Sequence, residues 1–438
     1  MRNILIISYH YPPDNIIAAR RSEAYARHFH KFGIFPTIVT DRYEKEYDGQ
    51  GKLIGYKNHK PYEKPITEQY KSHRVVRLPR YITPLQWFQK SIERIPLLSP
   101  LFTLLMNCLG HFDMHLLSHH ANYKSFLSNH LKNNSYNMIL AIDSPHFHVR
   151  LAYLLHKDFR IPYIVDFRDL YDNNILNQDY RPTLKRRIIN NLKKKAFTKW
   201  LKNTKLITAS SQLLADYYAG LINCKGFEIT NGFEAIDYEA IEQEKTQLFQ
   251  IASTGRLYCN QDWSVFASGV RKFSSEQKPD NFRVVFAGVR KDANDIIKTI
   301  KSFIPEQYLM INGWLDKEEV YRIQYSSSIL IVASWQGTLG VYSGKIFEYL
   351  GARRPILFAP GDNDGVVDRL LKRTRAGIST NTPQEVCTFI TEKYNEWKQT
   401  GRVSYSGIEE EIMKYTRENQ VKKMAELIHN FLPAKSNR

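Results

Sequence analysis

The stretch Ser343-Gly344-Lys345-Ile346-Phe347-Glu348-Tyr349-Leu350-Gly351-Ala352-Arg353-Arg354-Pro355-Ile356-Leu357 joins a small, basic turn to a predicted helix and follows that helix with an apolar strand. A turn, a helix and an apolar strand in that order form part of a βαβ unit, the repeating element of parallel α/β sheets. The start of the helix also has the chemistry of a nucleotide-diphosphate site. Ser343 and Gly344 open it, so its unpaired N–H groups and positive dipole end favour a phosphate, and Lys345 adds a full charge. Glu348 stands one turn further on the same face, where its carboxylate can accept bonds from two ribose hydroxyls. The same residues also describe a capped helix with a solvated Lys and Glu, and the remainder of the chain has to decide between the two.

Outward from this stretch, short apolar runs alternate with longer amphipathic segments. Strands are expected at Ile4 to Ser8, Pro36 to Thr40, Met138 to Ile142, Tyr163 to Asp166 and Leu206 to Ala209. A helix from Ala18 to Lys31 is stopped by Gly33. The rhythm restarts at Phe249 to Thr254 and runs through Arg283 to Ala287, Tyr308 to Ile311, Ile329 to Ala333 and Ile356 to Phe358. Two doubly wound domains in succession fit this order, and 438 residues are too many for one ordinary core. The turn at Asn231-Gly232-Phe233 and the charged stretch from Glu234 to Lys245 read as the linker. A final helix is expected from about Glu409 to Phe431. Residues 42 to 72, rich in Tyr, Lys and Glu, read as a surface loop.

Composition narrows the class. Hydrophobic content of 43% and charged content of 24% describe a soluble globular chain. The apolar run Ile4 to Ile7 is too short for a secretory segment, so a cytoplasmic protein is expected. Cys108, Cys224, Cys259 and Cys387 are scattered without a CxxC pair, which reads as free thiols and neither a disulfide framework nor a zinc site. The net charge of +18 points to an anionic partner, either a membrane surface or a nucleic acid. Basic runs at Arg181 to Lys205 and Arg369 to Arg375 carry much of it. No zinc-finger spacing or RRM-type aromatic motif accompanies them, so nucleic acid has charge alone in its favour. The region from Arg80 to His120 is dense in Leu, Phe, Ile and Trp but broken by Pro84, Pro96 and Pro100. Its apolar runs fall short of the roughly 20 residues that span a bilayer, leaving an interfacial segment or core helices inserted in the first domain.

Polar clusters collect just past predicted strands, where open α/β sheets bind ligands. Asp14 and Asn15 follow the first strand, with Arg20 and Arg21 one turn into the next helix, facing an anion or water. Asp143-Ser144-Pro145-His146-Phe147-His148 follows a later strand. Thr254-Gly255-Arg256 ends a strand of the second half, and Arg256 offers a fork of donors to a diphosphate.

Taken together, Ile4 to Arg21, Ile161 to Tyr171, Ile229 to Glu234, Ser253 to Leu257, Asn312 to Val320 and Ser343 to Leu357 resemble a GT-B glycosyltransferase of the family 4, or group 1, type found in bacterial surface-polysaccharide biosynthesis. The resemblance implies two Rossmann-like domains facing each other across a cleft and a last helix crossing back. On that pattern residues 1–235 form the acceptor domain, with the apolar insertion at about 80–120. Residues 236–405 bind the nucleotide sugar, and 406–438 return to the first domain. It implies Arg256 and Lys345 on the donor diphosphate, Ser343 and Gly344 as phosphate-facing N–H groups, Glu348 on the ribose and Trp314 beside the base. Asp14 and Asn15 would close over the donor. Apart from the resemblance, His146 or His148, just past a predicted strand, is a candidate to orient the acceptor hydroxyl. The chain departs from the family twice. Gly340 stands where a glutamate is usual, and Asn260, Gln261 and Asp262 stand where a lysine is usual, which leaves Lys345 as the main diphosphate cation.

The expected activity is therefore sugar transfer from a nucleotide-diphosphate donor to a lipid-linked or polysaccharide acceptor, retaining and without a metal or other cofactor. The expected location is peripheral, at the inner face of the plasma membrane. Two other classes fit parts of the sequence. A sugar-nucleotide epimerase of GT-B shape would need acid/base groups in the cleft, and a basic non-catalytic anion-binding protein would ignore nucleotide sugars.

Overall fold

The computed structural model describes the chain apart from residues 15–16, 48–52, 59–63, 80–120, 144–145, 173–174, 177–179, 236–246, 259, 291–292 and 433–438. The apolar insertion at about 80–120 and most of the expected linker lie outside the described residues. Two compact units result. Unit one comprises Met1–Ile175, Arg181–Thr230 and Val421–Arg438, and unit two comprises Leu176–Tyr180 and Asn231–Gln420.

Unit one holds β1 (Arg2–Ile7), α1 (Ile17–His28), β2 (Ile34–Asp41), β3 (Tyr43–Tyr47), β4 (Leu53–Asn58), β5 (Ile66–Gln69), β6 (Arg74–Leu78), α2 (Ala121–Asn133), β7 (Met138–Ile142), α3 (Phe147–Phe159), β8 (Tyr163–Phe167), α4 (Leu184–Leu201), β9 (Ile207–Ala209), α5 (Gln212–Gly220) and β10 (Gly226–Glu228). Its sheet runs β10-β9-β8-β7-β1-β2-β6-β5, with β5 and β6 antiparallel and the other neighbours parallel. The order reverses between β1 and β7, which pair in parallel through Ile4 with Met138 to Ile7 with Ala141. The central strands are buried on both faces and read accordingly as continuous apolar runs. The stretch 42–72, expected to be a surface loop, instead carries β3 and β4 as an antiparallel pair and β5 at the sheet edge. Its Tyr, Lys and Glu residues suit an exposed edge as well as a loop, so composition does not separate the two.

Unit two holds β11 (Phe249–Thr254), α6 (Ser264–Gln277), β12 (Phe282–Ala287), α7 (Asn294–Phe303), β13 (Leu309–Asn312), α8 (Lys317–Ser326), β14 (Ile329–Val332), α9 (Gly344–Ala352), β15 (Ile356–Phe358), α10 (Val366–Thr374), β16 (Gly377–Ser379), α11 (Pro383–Thr400), α12 (Glu409–Met413) and the start of α13 (Arg417–Phe431). The sheet is wholly parallel, in the order β13-β12-β11-β14-β15-β16. Alternate strand residues feed two separate cores. Ile251, Val284, Phe286, Ile329 and Ile331 pack with α6, α7 and α11 on one face. Ala252, Val285, Ala287, Leu330 and Val332 pack with α9, α10 and α12 on the other. This two-residue alternation under helices on both sides is what double winding requires.

The chain passes from unit one to unit two at Thr230 and returns at Val421, where the sequence reading had placed 235 and 406. Packing moves both points. Phe233 shares a core with Ile412 and Tyr415. Its N–H donates to Tyr415 O at 3.2 Å and its carbonyl accepts from Arg417 N at 2.8 Å. The same bonds break the expected final helix into α12 and α13. From Val421 onward α13 buries Val421, Met424, Ala425 and Ile428 in a core with Ile4, Ile6, Tyr25 and Phe29 of unit one.

Candidate active site

In unit two the strand order reverses between β11 and β14, and the chain reaches α9 from β14 by the loop 333–343. A ligand is expected outside the carboxyl ends at such a reversal. Three neighbouring strand ends there are stripped of side chains. Gly255, after β11, has φ of +81°, and Gly288, after β12, has φ of +84°. Both positions favour glycine for conformation, and Gly288 also for close approach, since a Cβ there would come within 3.1 Å of the Gly255 backbone. Gly288 N donates to the carbonyls of Asn312 and Gly313, at 3.1 and 2.9 Å. That contact ties the turn bearing half-buried Trp314 to the same shelf.

The N-terminus of α9 faces this shelf. Ser343, its N-cap, is buried and accepts no side-chain capping bond, so the first N–H groups are left to a ligand or water. Lys345 reaches back across the sheet to Gly255 O at 3.5 Å, a long contact that leaves the ammonium without a close anion among the described residues. Burial strips water from this group and pulls its pKa down to about 7, against the smaller opposing pull of Glu348. Glu348 is half-buried one turn along, and no hydrogen bond holds its carboxylate among the described residues. Arg256 is exposed beside Gly255, with its guanidinium over the Tyr258 ring at 5.0 Å. The structure thus brings together Ser343, Gly344, Lys345, Glu348, Gly255 with Arg256, and the Trp314 turn, from three separate stretches of sequence.

A depressed lysine pKa has a measurable consequence. A diphosphate beside Lys345 favours its charged form, so binding takes up a proton once the free group has begun to lose it. Affinity for a nucleotide sugar is expected to be flat below pH 6.5 and to weaken by up to about tenfold per unit above pH 7. Titration calorimetry between pH 6 and 9 checks this, and an unchanged affinity across that range would exclude Lys345 as the diphosphate cation.

Residues beyond the sequence reading hold the shelf in place. Thr254 N donates to the Tyr349 hydroxyl at 2.8 Å and Gln324 Nε2 to Thr254 Oγ1 at 2.9 Å, locking the end of β11 to α9 and α8. Gly288 carried a usable signal, a glycine directly after an apolar strand as at Gly255. The two departures from the family pattern also find structural explanations. Gly340 has φ of +71°, a backbone region that a glutamate adopts only under strain. Gln261 donates to Ala333 O at 3.0 Å, and Asp262 accepts from Ser264 N at 2.8 Å, so both serve the loop into α6.

In unit one, two His–Asp pairs sit at the ends of the adjacent strands β1 and β7, again at the reversal of strand order. Asp14 is buried and bonded to His10 Nδ1 at 2.6 Å. Asn15 lies outside the described residues. His146 Nδ1 bonds Asp143 Oδ1 at 2.9 Å. Burial alone would lower the His146 pKa, but the Asp143 charge and hydrogen bond outweigh it and the net shift is upward. With Nδ1 donating to Asp143, Nε2 is left to accept from a hydroxyl. His148 is buried in the fold, with Nδ1 bonded to Ile142 O at 2.9 Å. Arg21 faces neither water nor a ligand. Its Nε and Nη2 each donate to Asp166 at 2.7 Å inside the core.

No family model and no curated protein matches this sequence. Solved structures do. Sucrose-phosphate synthase from Thermosynechococcus elongatus superposes with a TM-score of 0.60 at 12% identity, over 99% of this chain and 100% of that one. An α,α-trehalose-phosphate synthase (UDP-forming) from Burkholderia xenovorans, in complex with glucose-6-phosphate, gives 0.60 at 10% identity over 99% and 100%. Anabaena HepE in complex with UDP gives 0.58 at 11% identity over 98% and 100%. These are GT-B glycosyltransferases. The chain has the GT-B fold. Its two Rossmann-like units and the return of α13 to unit one's core are what the sequence resemblance implied.

Proposed function

We propose that this GT-B chain is a glycosyltransferase that moves a sugar from a nucleotide-diphosphate donor, with unit two holding the donor. The observation that carries the reading is the Lys345 ammonium, poorly paired at the open N-terminus of α9 and beside two glycine strand ends. A desolvated cation at a helix N-terminus, with a carboxylate one turn on, matches a diphosphate followed by a ribose. Breaking the sugar–phosphate bond puts charge on the departing diphosphate. Lys345, the α9 N–H groups and Arg256 would stabilise that charge more in the transition state than in the ground state, without having to reorganise. This arrangement needs no metal. His146, held by Asp143, would accept from the acceptor hydroxyl through Nε2 and orient it, while Trp314 would lie against the base.

Solved structures of this fold with UDP, UDP-glucose or UDP-2-fluoro glucose bound favour a uridine donor. Retention at the anomeric carbon, a lipid-linked or polysaccharide acceptor and a place in surface-polysaccharide synthesis extend the reading from the sequence resemblance. So does a peripheral position at the cytoplasmic membrane face. A thermal-shift series against nucleotide sugars tests the donor class, because a ligand that binds only the native state raises the apparent Tm by mass action. One nucleotide family should stabilise the chain, and Glu348→Ala should remove most of that shift by losing the ribose bonds. Equal shifts in the variant would move the ribose elsewhere, and no shift with any nucleotide sugar would point to the anion-binding alternative.

A further inference from the structure

Helix α4 is built against its own dipole. Its 18 residues hold seven Lys or Arg and no Asp or Glu. Lys185, Arg186 and Arg187 crowd the N-terminal turn, where the helix already carries partial positive charge, so they weaken the helix they sit on. The inward face is settled by contacts. Arg186 and Asn190 bond Asp172 at 3.0 and 2.7 Å, Lys193 donates to Tyr171 O at 3.2 Å, and Phe197 stacks on Tyr171.

The opposite face has no such partners. Leu184 and Ile188 are 66% and 53% exposed, one turn apart on the same stripe. Lys195 and Lys199 continue that stripe, with Lys185, Arg187 and Lys194 beside it. None of these five cations makes an ion pair or hydrogen bond among the described residues. The other basic run is different. Lys372 pairs with Asp364 at 2.9 Å and Arg373 donates to Tyr415 at 3.1 Å, so part of its charge is used within the fold. Among the described residues no helix is long and apolar enough to cross a membrane.

We propose that the outer face of α4 is a docking surface for an anionic lipid bilayer, with Leu184 and Ile188 entering the headgroup boundary and the five cations around them meeting lipid phosphates. Charge complementarity selects the anionic surface, and two exposed aliphatic side chains inside the basic patch select lipid over nucleic acid, which would be met by stacking aromatics instead. This inference gives a location to the peripheral association proposed above, and it is read by lipid binding alone, separately from donor binding.

Vesicle co-sedimentation of the full chain tests it, with neutral phosphatidylcholine vesicles compared with vesicles containing phosphatidylglycerol. The chain should bind the anionic vesicles and leave the neutral ones. Each basic residue near such a surface is worth roughly fivefold in affinity, so Lys185, Arg187, Lys194, Lys195 and Lys199 changed together to Ala should cost at least about 100-fold. Leu184→Ser with Ile188→Ser should weaken binding severalfold while leaving its dependence on salt unchanged. All seven positions are exposed, and loss of Lys185 and Arg187 relieves the helix dipole, so neither variant should lower the Tm and both should keep its shift with nucleotide sugar. Wild-type binding by the five-residue variant, or equal binding to neutral vesicles, would overturn the proposal. So would a chain that ignores vesicles but takes single-stranded RNA through the same residues.

Discussion

Replacing Lys345 by alanine should lower kcat/KM for sugar transfer by roughly 10²–10³-fold, the effect expected when one preorganised charge is removed from a site where charge develops. The loss should fall on kcat as much as on KM, because the leaving diphosphate is more charged in the transition state than in the bound donor. The same variant should not lose stability. In the folded chain Lys345 has a pKa of about 7, below its ordinary value of 10.5. Between those two values the unfolded chain binds more protons than the folded one, so wild-type stability should rise with pH across that window. In Lys345→Ala that rise should be smaller and the Tm at pH 7 should be equal or higher. A site that stabilises the fold less than alanine would, yet is needed for turnover, is the signature of a functional cation. Near-normal turnover in the variant would remove Lys345 from the chemistry.

Asp166→Ala should produce the largest stability change in unit one. The Asp166 carboxylate is fully buried and accepts from Arg21 twice at 2.7 Å, from Tyr25 at 2.9 Å and from Thr208 at 2.8 Å. Burial alone would lower the Arg21 pKa, but the adjacent carboxylate reverses this and holds the guanidinium firmly charged. Removing Asp166 leaves that charge in the core with, among the described residues, only Thr230 O at 3.0 Å as an acceptor. Breaking a buried pair in this way costs about 3–5 kcal/mol, which for a unit of this size lowers Tm by roughly 10 °C. Calorimetry with Asp166→Leu and Arg21→Met combined separates the orphaned charge from lost packing. The double variant should recover most of the loss, and a Tm no higher than that of Asp166→Ala would assign the effect to packing.

These two predictions concern residues that the sequence treated in opposite ways. Lys345 was legible because its signal is local. Ser343, Gly344, Lys345 and Glu348 lie within six residues, and helical geometry alone puts them at one end and on one side of α9. Arg21 was not legible, since the partner that decides its role is 145 positions away in the chain. The stretch 42–72 misled because exposed edge strands and loops share the same polar composition. The final helix was read too long because Phe233, far away in sequence, forms the backbone bonds that break it.

The sequence by itself determined the double winding of both units, because two-residue and 3.6-residue periodicities and the glycines at strand ends are local consequences of backbone geometry. Tertiary structure alone decided which charges are available for chemistry. It sank Arg21 onto Asp166 and left Lys345 with a distant carbonyl, whereas the Asp14–His10 and His146–Asp143 pairs join residues only four and three positions apart. Whether a polar group is satisfied or left for a ligand depends on partners that the fold brings together from far along the chain.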